Sequence, residues 1–248
     1  MKIAVCVKAV PDAAAGRRLD PGTKRLDRSS ELAISDFDTY AVEEGLKLKE
    51  AAGDGEVVVV SMGPERAMDA LRKALAMGAD RAVLVSDASL EGADLLGTAK
   101  ALAGALEKES PDLVLFGQQS ADGGGAVLWA AVAEKLRQPV ISQASELTVE
   151  SGSVTGKRQT EFGYDSIRAP LPAIVAVSDS INTPRYPSLK GIMGAKKKPQ
   201  DVLSAADVAS TEVREPLSPA ASASTPRSSS ETTSCGFFFA PMIPLRDG

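Results

Sequence analysis

Apolar residues fall in short unbroken runs separated by amphipathic stretches. "IAVCVKAV" (Ile3 to Val10), "EVVVVSMG" (Glu56 to Gly63), "RAVLVS" (Arg81 to Ser86) and "DLVLFG" (Asp112 to Gly117) are rich in β-branched residues and continuous rather than alternating, as expected of strands buried on both faces. Between them, Thr39 to Ala52, Glu65 to Met77 and Asp94 to Glu109 place apolar residues at helical spacing, and Gly78 stands where a C-terminal helix cap belongs. This β-α-β-α-β-α-β order predicts an α/β fold: a parallel sheet with right-handed crossovers and helices on both faces. After Pro139 the texture changes. "SELTVESGSVTGKRQTEFGYDSIRAPLPAIVAV" reads as strands and turns, an antiparallel excursion returning to a final strand at Ala173 to Val177. From about Ala209 the chain turns rich in Ser, Thr, Pro and Ala, which cannot build a core and reads as a mobile tail.

Composition narrows the chemistry. The 248 residues are 44% hydrophobic and 25% charged, enough for one sizeable core. With His 0, imidazole catalysis and histidine metal ligation are excluded. Cys6 and Cys235 lie at opposite ends with no Cys-x-x-Cys, so neither a disulfide framework nor a thiolate metal cage is expected. A net charge of -5 speaks against a generic nucleic-acid binder. No apolar run approaches the ~20 residues of a membrane span, and "MKIAVCVKAVPD" lacks the pattern of a signal peptide, so a cytoplasmic protein without membrane insertion is expected. One stretch cuts across this acidic character: "RYPSLKGIMGAKKKPQ" sets an apolar stripe of Leu189, Ile192 and Met193 beside Lys196, Lys197 and Lys198. It is either an amphipathic turn packed on its own domain or a surface for a partner.

In an open α/β sheet, ligands sit beyond the carboxyl ends of the strands, which selects the loops Ala9 to Asp12, Ser61 to Pro64 and Gly117 to Gly125. The third, "FGQQSADGGGAVLWAAVAEKL", puts three glycines directly before a helix, so its amides can approach an anion at a positive helix N-terminus. It lacks the Lys and Ser/Thr of a Walker loop and does not follow G-x-G-x-x-G. A plain glycine-rich turn is the alternative; Gln118, Gln119, Ser120 and Asp122 add polar groups that favour binding. No catalytic residue and no metal ligand is assigned. Trp129 is read as core, Cys6 as a small buried hydrophobe, and the acids and lysines of "VEEGLKLKE" as complements of a helix dipole.

These residues resemble a known family. "VCVKAVPD", "FDTYAVEEGLKLKE", "GPERAMDALRKALAMGADRAVLV", "LVLFGQQSADGGGAV", "RQTEFGYDSIRAPLPAIVAV" and "NTPRYPSLKGIMGAKKKP" are similar, in order, to the β subunit of electron-transfer flavoprotein, from residue 2 to about 203. The resemblance implies a flavodoxin-like, adenine-nucleotide-hydrolase-like sheet over residues 1–203 and a C-terminal arm or tail over 204–248, partly disordered. It implies a heterodimer with an α subunit that holds the redox FAD, while the β subunit holds AMP, or a second FAD in electron-bifurcating members. Carried over by position, the nucleotide pocket falls on Cys6, Ser35, Met62, Gln119, Ser120, Asp122, Gly123, Gly124, Gly125, Ala126 and Val127. Many relatives have Asn-Pro at Ser35-Asp36, and bifurcating relatives often read "DGDTAQ" where this chain reads "DGGGAV", which favours AMP.

The same resemblance makes residues 182–199 a protruding recognition loop. Leu189 would enter a pocket on acyl-CoA or related dehydrogenases, with Ile192 and Met193 beside it and Lys196, Lys197 and Lys198 steering the encounter. Electrons would pass on to a quinone oxidoreductase, with no turnover by this chain alone. A stand-alone nucleotide-binding regulatory module, like universal stress proteins or adenine-nucleotide hydrolases, is the competing class. The Ser-Gly-Gly-x-Asp-Ser signature of the hydrolases does not occur.

Overall fold

The computed structural model describes residues 1–209 other than 13, 15, 17, 23 and 151. The expected tail beyond 209, with Cys235 and "CGFFFAPMIPLRDG", lies outside the described residues. Among them, nine strands form one sheet in the order β11-β5-β4-β1-β6-β10-β7-β8-β9. Its centre is parallel: β1 (Lys2–Cys6), β4 (Glu56–Met62), β5 (Arg81–Val85), β6 (Leu113–Gly117) and β10 (Ala173–Val177).

The strand runs are continuous because both faces are covered. Helices α1 (Asp36–Ala52) and α2 (Met68–Met77) bring Val42, Leu46, Leu71 and Leu75 onto Ile3, Val5, Val57, Val59 and Leu115. On the other face, α3 (Leu95–Glu109) and α4 (Leu128–Leu136) set Leu102, Leu106 and Val132 against Ala4, Val58, Val60, Val114 and Phe116. Each fully buried Leu or Ile contributes roughly 2 kcal/mol of transfer free energy. The α/β class, the parallel centre and the two helical layers agree with the sequence pattern. Gly78 does end α2, its N–H donating to the carbonyls of Ala74 and Leu75.

Three expectations change in detail. The run from Ile3 to Val10 is not one strand: β1 stops at Cys6, and Ala9–Pro11 forms β2, antiparallel to β3 (Leu32–Ile34) in a separate two-stranded sheet. The break has a cause, since the Lys8 amide leaves the ladder to donate to Asp38 Oδ2 at 2.7 Å. The helix expected from Glu65 opens as a 3-10 turn (Glu65–Ala67) before α2. Ala173–Val177 is not the last strand, because β11 (Gln200–Leu203) follows and pairs parallel to β5, Gln200 opposite Ala82.

The antiparallel excursion is real. β7 (Val140–Glu150) runs parallel to β10 through Val140 and Ile141, bulges near Gln143 at φ +51°, and then pairs antiparallel with β8 (Ser153–Thr160). One strand thus serves both the core sheet and an arm completed by β9 (Gly163–Pro170). Beyond β11 the turn at residues 204–207 leads to Val208, buried in the α3 layer.

Candidate functional site

Winding runs outward from β1 to β4 and β5, then reverses to β6 on the other side of β1. Ligands in such sheets bind where the direction switches, at the carboxyl ends of the two diverging strands. The chain after β1 and the loop between β6 and α4 flank this point.

Lys8 stands at the break after β1. Its Nζ reaches Asp122 Oδ1 at 2.8 Å and Ser120 Oγ at 3.4 Å. The Arg28 guanidinium pairs with the other oxygen of Asp122 and donates to the Ala9 carbonyl at 3.2 Å. The Asp122 side chain is 3% exposed. Burial pushes its carboxyl up, but the hydrogen bond and charge of Lys8, with hydrogen bonds from Arg28 and Ser120, outweigh burial and bring it down to about 2.

The glycine loop is pinned at its ends and open in its middle. Gln118 donates from its amide to the Val177 carbonyl at 3.0 Å, and its carbonyl accepts from Trp129 Nε1 at 3.1 Å. Ser35 precedes α1, yet its hydroxyl does not cap that helix; it accepts from the Ala121 amide at 3.1 Å. The Gly123 amide donates to Ser120 Oγ and the Gly124 amide to the Ser120 carbonyl. Gly124 sits at φ +59° and Ala126 at φ +48°, the latter a conformation that costs an alanine roughly 1–2 kcal/mol. The amides of Gly125, Ala126 and Val127 are exposed and make no hydrogen bond to another described residue, and Val127 offers α4 no side-chain cap. Unbonded amides at a helix N-terminus are donors of the kind that suit an anion.

The expected residues do not all join this cluster. Ser35, Ser120 and Asp122 are tied to one another through Lys8 and the loop amides, and Gly123 to Val127 supply its backbone. Gln119 is half-buried beside them. Cys6 and Met62, on neighbouring strands, pack in the apolar layer under α3 and α4 and take no part in its hydrogen bonds. Burial, with Asp38 nearby, holds the Cys6 thiol well above its ordinary range. Trp129 packs partly against the same layer.

Lys8, Arg28 and Asp38 were missed from sequence. Asp38 is buried in the first turn of α1. Loss of solvent raises its carboxyl to about 7, only partly offset by the Lys8 amide, the Lys8 charge and the Gly117 amide. Nothing in the sequence marks this acid, because its partner, the Lys8 amide 30 positions earlier, is brought to it only by the fold.

The second candidate surface is residues 182–199. Within it, α5 (Leu189–Ala195) is capped by Ser188, whose Oγ accepts from the Gly191 amide. Leu189 is 74% exposed, Met193 72% and Ile192 55%. Lys196 and Lys197 are exposed, but Lys198 is not a third steering charge: its Nζ donates to the Leu75 carbonyl at 2.9 Å and the Ala79 carbonyl at 2.5 Å, closing the C-terminus of α2. Burial lowers the pKa of its ammonium. Glu43 and Glu44 also depart from the dipole reading: both are buried, Glu43 holding Arg185 and Glu44 holding Asn182.

A doubly wound α/β domain with a glycine loop at its switch point defines the class. Within it, the electron transfer flavoprotein domain model matches residues 23–208. The chain is 44% identical over 212 residues to the electron transfer flavoprotein subunit beta of Mycobacterium leprae, covering 83% of this chain and 80% of the relative. It is 41% identical over 210 residues to the subunit of that name from Thermoanaerobacterium thermosaccharolyticum, with 84% and 80% covered. It is 37% identical over 210 residues to the caffeyl-CoA reductase-Etf complex subunit CarD of Acetobacterium woodii, with 84% and 80% covered. The chain belongs to the electron transfer flavoprotein family, and electron transfer as one subunit of such a protein is its function. Among the described residues no helix is long and apolar enough to cross a membrane.

Proposed function

We propose that this chain is the nucleotide-holding, partner-docking β subunit of a heterodimeric electron-transfer flavoprotein. Its α subunit would carry the redox FAD, take electrons from acyl-CoA or other flavin dehydrogenases and pass them to a quinone oxidoreductase. The observation that carries the nucleotide assignment is the glycine loop itself: Lys8 and Arg28 both pair with its Asp122, Lys8 Nζ lies 3.7 Å from where a Cβ would stand at Gly123, and the amides of Gly125, Ala126 and Val127 make no hydrogen bond to another described residue. Those amides and cations suit one phosphate. Ser35 and Asp122 would fix the loop around it. AMP is favoured over a second FAD because "GGG" leaves few side chains for a second phosphate, and the nucleotide would act structurally, joining β1, α1 and α4. The docking role rests on the exposed face of Leu189, Ile192 and Met193.

The test is co-expression with an electron transfer flavoprotein α subunit. A yellow heterodimer that releases one FAD and one AMP on denaturation, beside a colourless isolated β chain, is the expected result. Two FAD per heterodimer would overturn the AMP assignment and favour an Etf complex of the bifurcating type. A yellow, redox-active single chain would sink the subunit reading.

A further inference from the structure

The exposed apolar face of residues 186–193 is not borne on a free loop. Before it, Asn182 Nδ2 donates to the Tyr40 carbonyl at 3.1 Å and to Glu44 Oε2 at 3.0 Å. Arg185 then lies across α1: its amide and Nε both donate to Glu43 Oε2, at 3.1 and 2.8 Å, and Nη2 to Glu43 Oε1 at 3.1 Å. The same guanidinium donates to Glu50, Nη1 to Oε1 at 2.6 Å and Nη2 to Oε2 at 3.1 Å. The Glu43 side chain is 7% exposed and that of Arg185 35%, so a buried carboxylate holds a half-buried guanidinium in a bidentate pair.

After the apolar face, a second set of contacts ties the chain to α2. Gly191 lies so close to that helix that a Cβ there would come within 2.3 Å of the Ala76 carbonyl oxygen. Lys198 closes the end of the same helix. Asn182, Arg185 and Lys198 thus face inward on two helices, while Tyr186, Leu189, Ile192 and Met193 stay outside.

We propose that Arg185 is the positioning residue for partner docking: by bridging Glu43 and Glu50 it holds the segment before Leu189 in its docking geometry before a partner arrives. The inference rests on the docking role assigned above. Preorganisation of this kind lowers the ordering cost of association without adding a contact. If release of Arg185 leaves the segment docking-competent a tenth of the time, apparent affinity falls about tenfold.

The experiment uses the αβ heterodimer with Arg185→Gln, Arg185→Lys and Leu189→Ala, assayed with a purified acyl-CoA dehydrogenase and its acyl-CoA. Arg185→Gln is expected to speed amide hydrogen exchange across 186–195 and to raise the KM for the flavoprotein about tenfold at unchanged kcat. FAD content should be unchanged, and Arg185→Lys, which keeps the charge but loses the fork, should fall between it and the parent. If Arg185→Gln changes neither exchange nor KM while Leu189→Ala raises KM, docking stands and the positioning role falls. If Leu189→Ala leaves KM unchanged, the docking reading falls and this inference with it. If KM rises only in proportion to lost FAD or lowered Tm, Arg185 is an ordinary structural residue. Should Arg185→Gln not assemble, Glu50→Gln, which breaks the exposed half of the bridge, is judged by the same criteria.

Discussion

The ammonium of Lys8 meets the carboxylate of Asp122 at 2.8 Å, joining the chain after β1 to the loop after β6 at the point where the sheet reverses. With Arg28 on the second oxygen, a nearly buried acid of the glycine loop holds two cations. An arriving phosphate would meet positive charge already in place, at no cost of gathering it. Replacing Lys8 with Gln removes one charge-assisted contact, worth roughly 1.5–3 kcal/mol. Nucleotide retention should therefore fall by about tenfold or more, measured as AMP remaining per heterodimer after gel filtration.

Backbone geometry separates two neighbouring glycines. Gly124 lies at φ +59°, whereas Gly125 does not lie in the left-handed region and has open space around a built Cβ. Gly124→Val should cost roughly 1–3 kcal/mol of loop strain and loosen the nucleotide, while Gly125→Ala should retain its backbone fold. Thermal melts with and without added AMP distinguish the two: the AMP-dependent rise in Tm should shrink in the first variant.

Asp38 gives a pH signature of definite sign. Its folded-state value is about 7 against an ordinary 3.8, so between these the folded chain binds more protons than the unfolded one. Its contribution to stability is then largest below about pH 4 and declines as pH rises towards 7. Asp122 works the other way, its contribution present above pH 3.8 and lost as pH falls through about 2. Urea midpoints of the parent and Asp38→Asn, compared from pH 5 to 8, should show a downward slope in the parent that the variant lacks.

The three lysines should divide by function. Replacing Lys196 and Lys197 should slow association with the dehydrogenase in a salt-dependent way and leave Tm within about 1 °C, since exposed charges mainly steer encounter. Lys198→Met should instead lower Tm, because two carbonyls at the end of α2 lose their donor. Stopped-flow rates at two ionic strengths, with melting curves, check both halves.

What the sequence disclosed follows from how local each signal was. β1, β4, β5 and β6 were legible because a strand covered on both faces is apolar at every position, and the glycine loop because three glycines before a helix are contiguous. β11 was not: "QDVL" is short, half-exposed and held by its ladder to β5 rather than by a hydrophobic run of its own. Lys8, Arg28 and Asp122 were joined only by folding, across separations of up to 114 positions. Lys198 looks like its two neighbours in sequence, and only the backbone turn after α5 brings it beneath the last turn of α2.

The position of β11 has a consequence for how partner choice can change. The segment carrying Leu189 is the span by which the chain travels from the middle of the sheet at β10 to its far edge at β11. It is a bridge and not an appendage. A deletion or proteolytic cut within it would uncouple an edge strand as well as remove the proposed recognition surface. On the proposed docking role, variation in partner preference would therefore fall on the outward side chains of Tyr186, Leu189, Ile192 and Met193, while the length of the span and the inward contacts of Asn182, Arg185 and Lys198 stay bound to the architecture beneath.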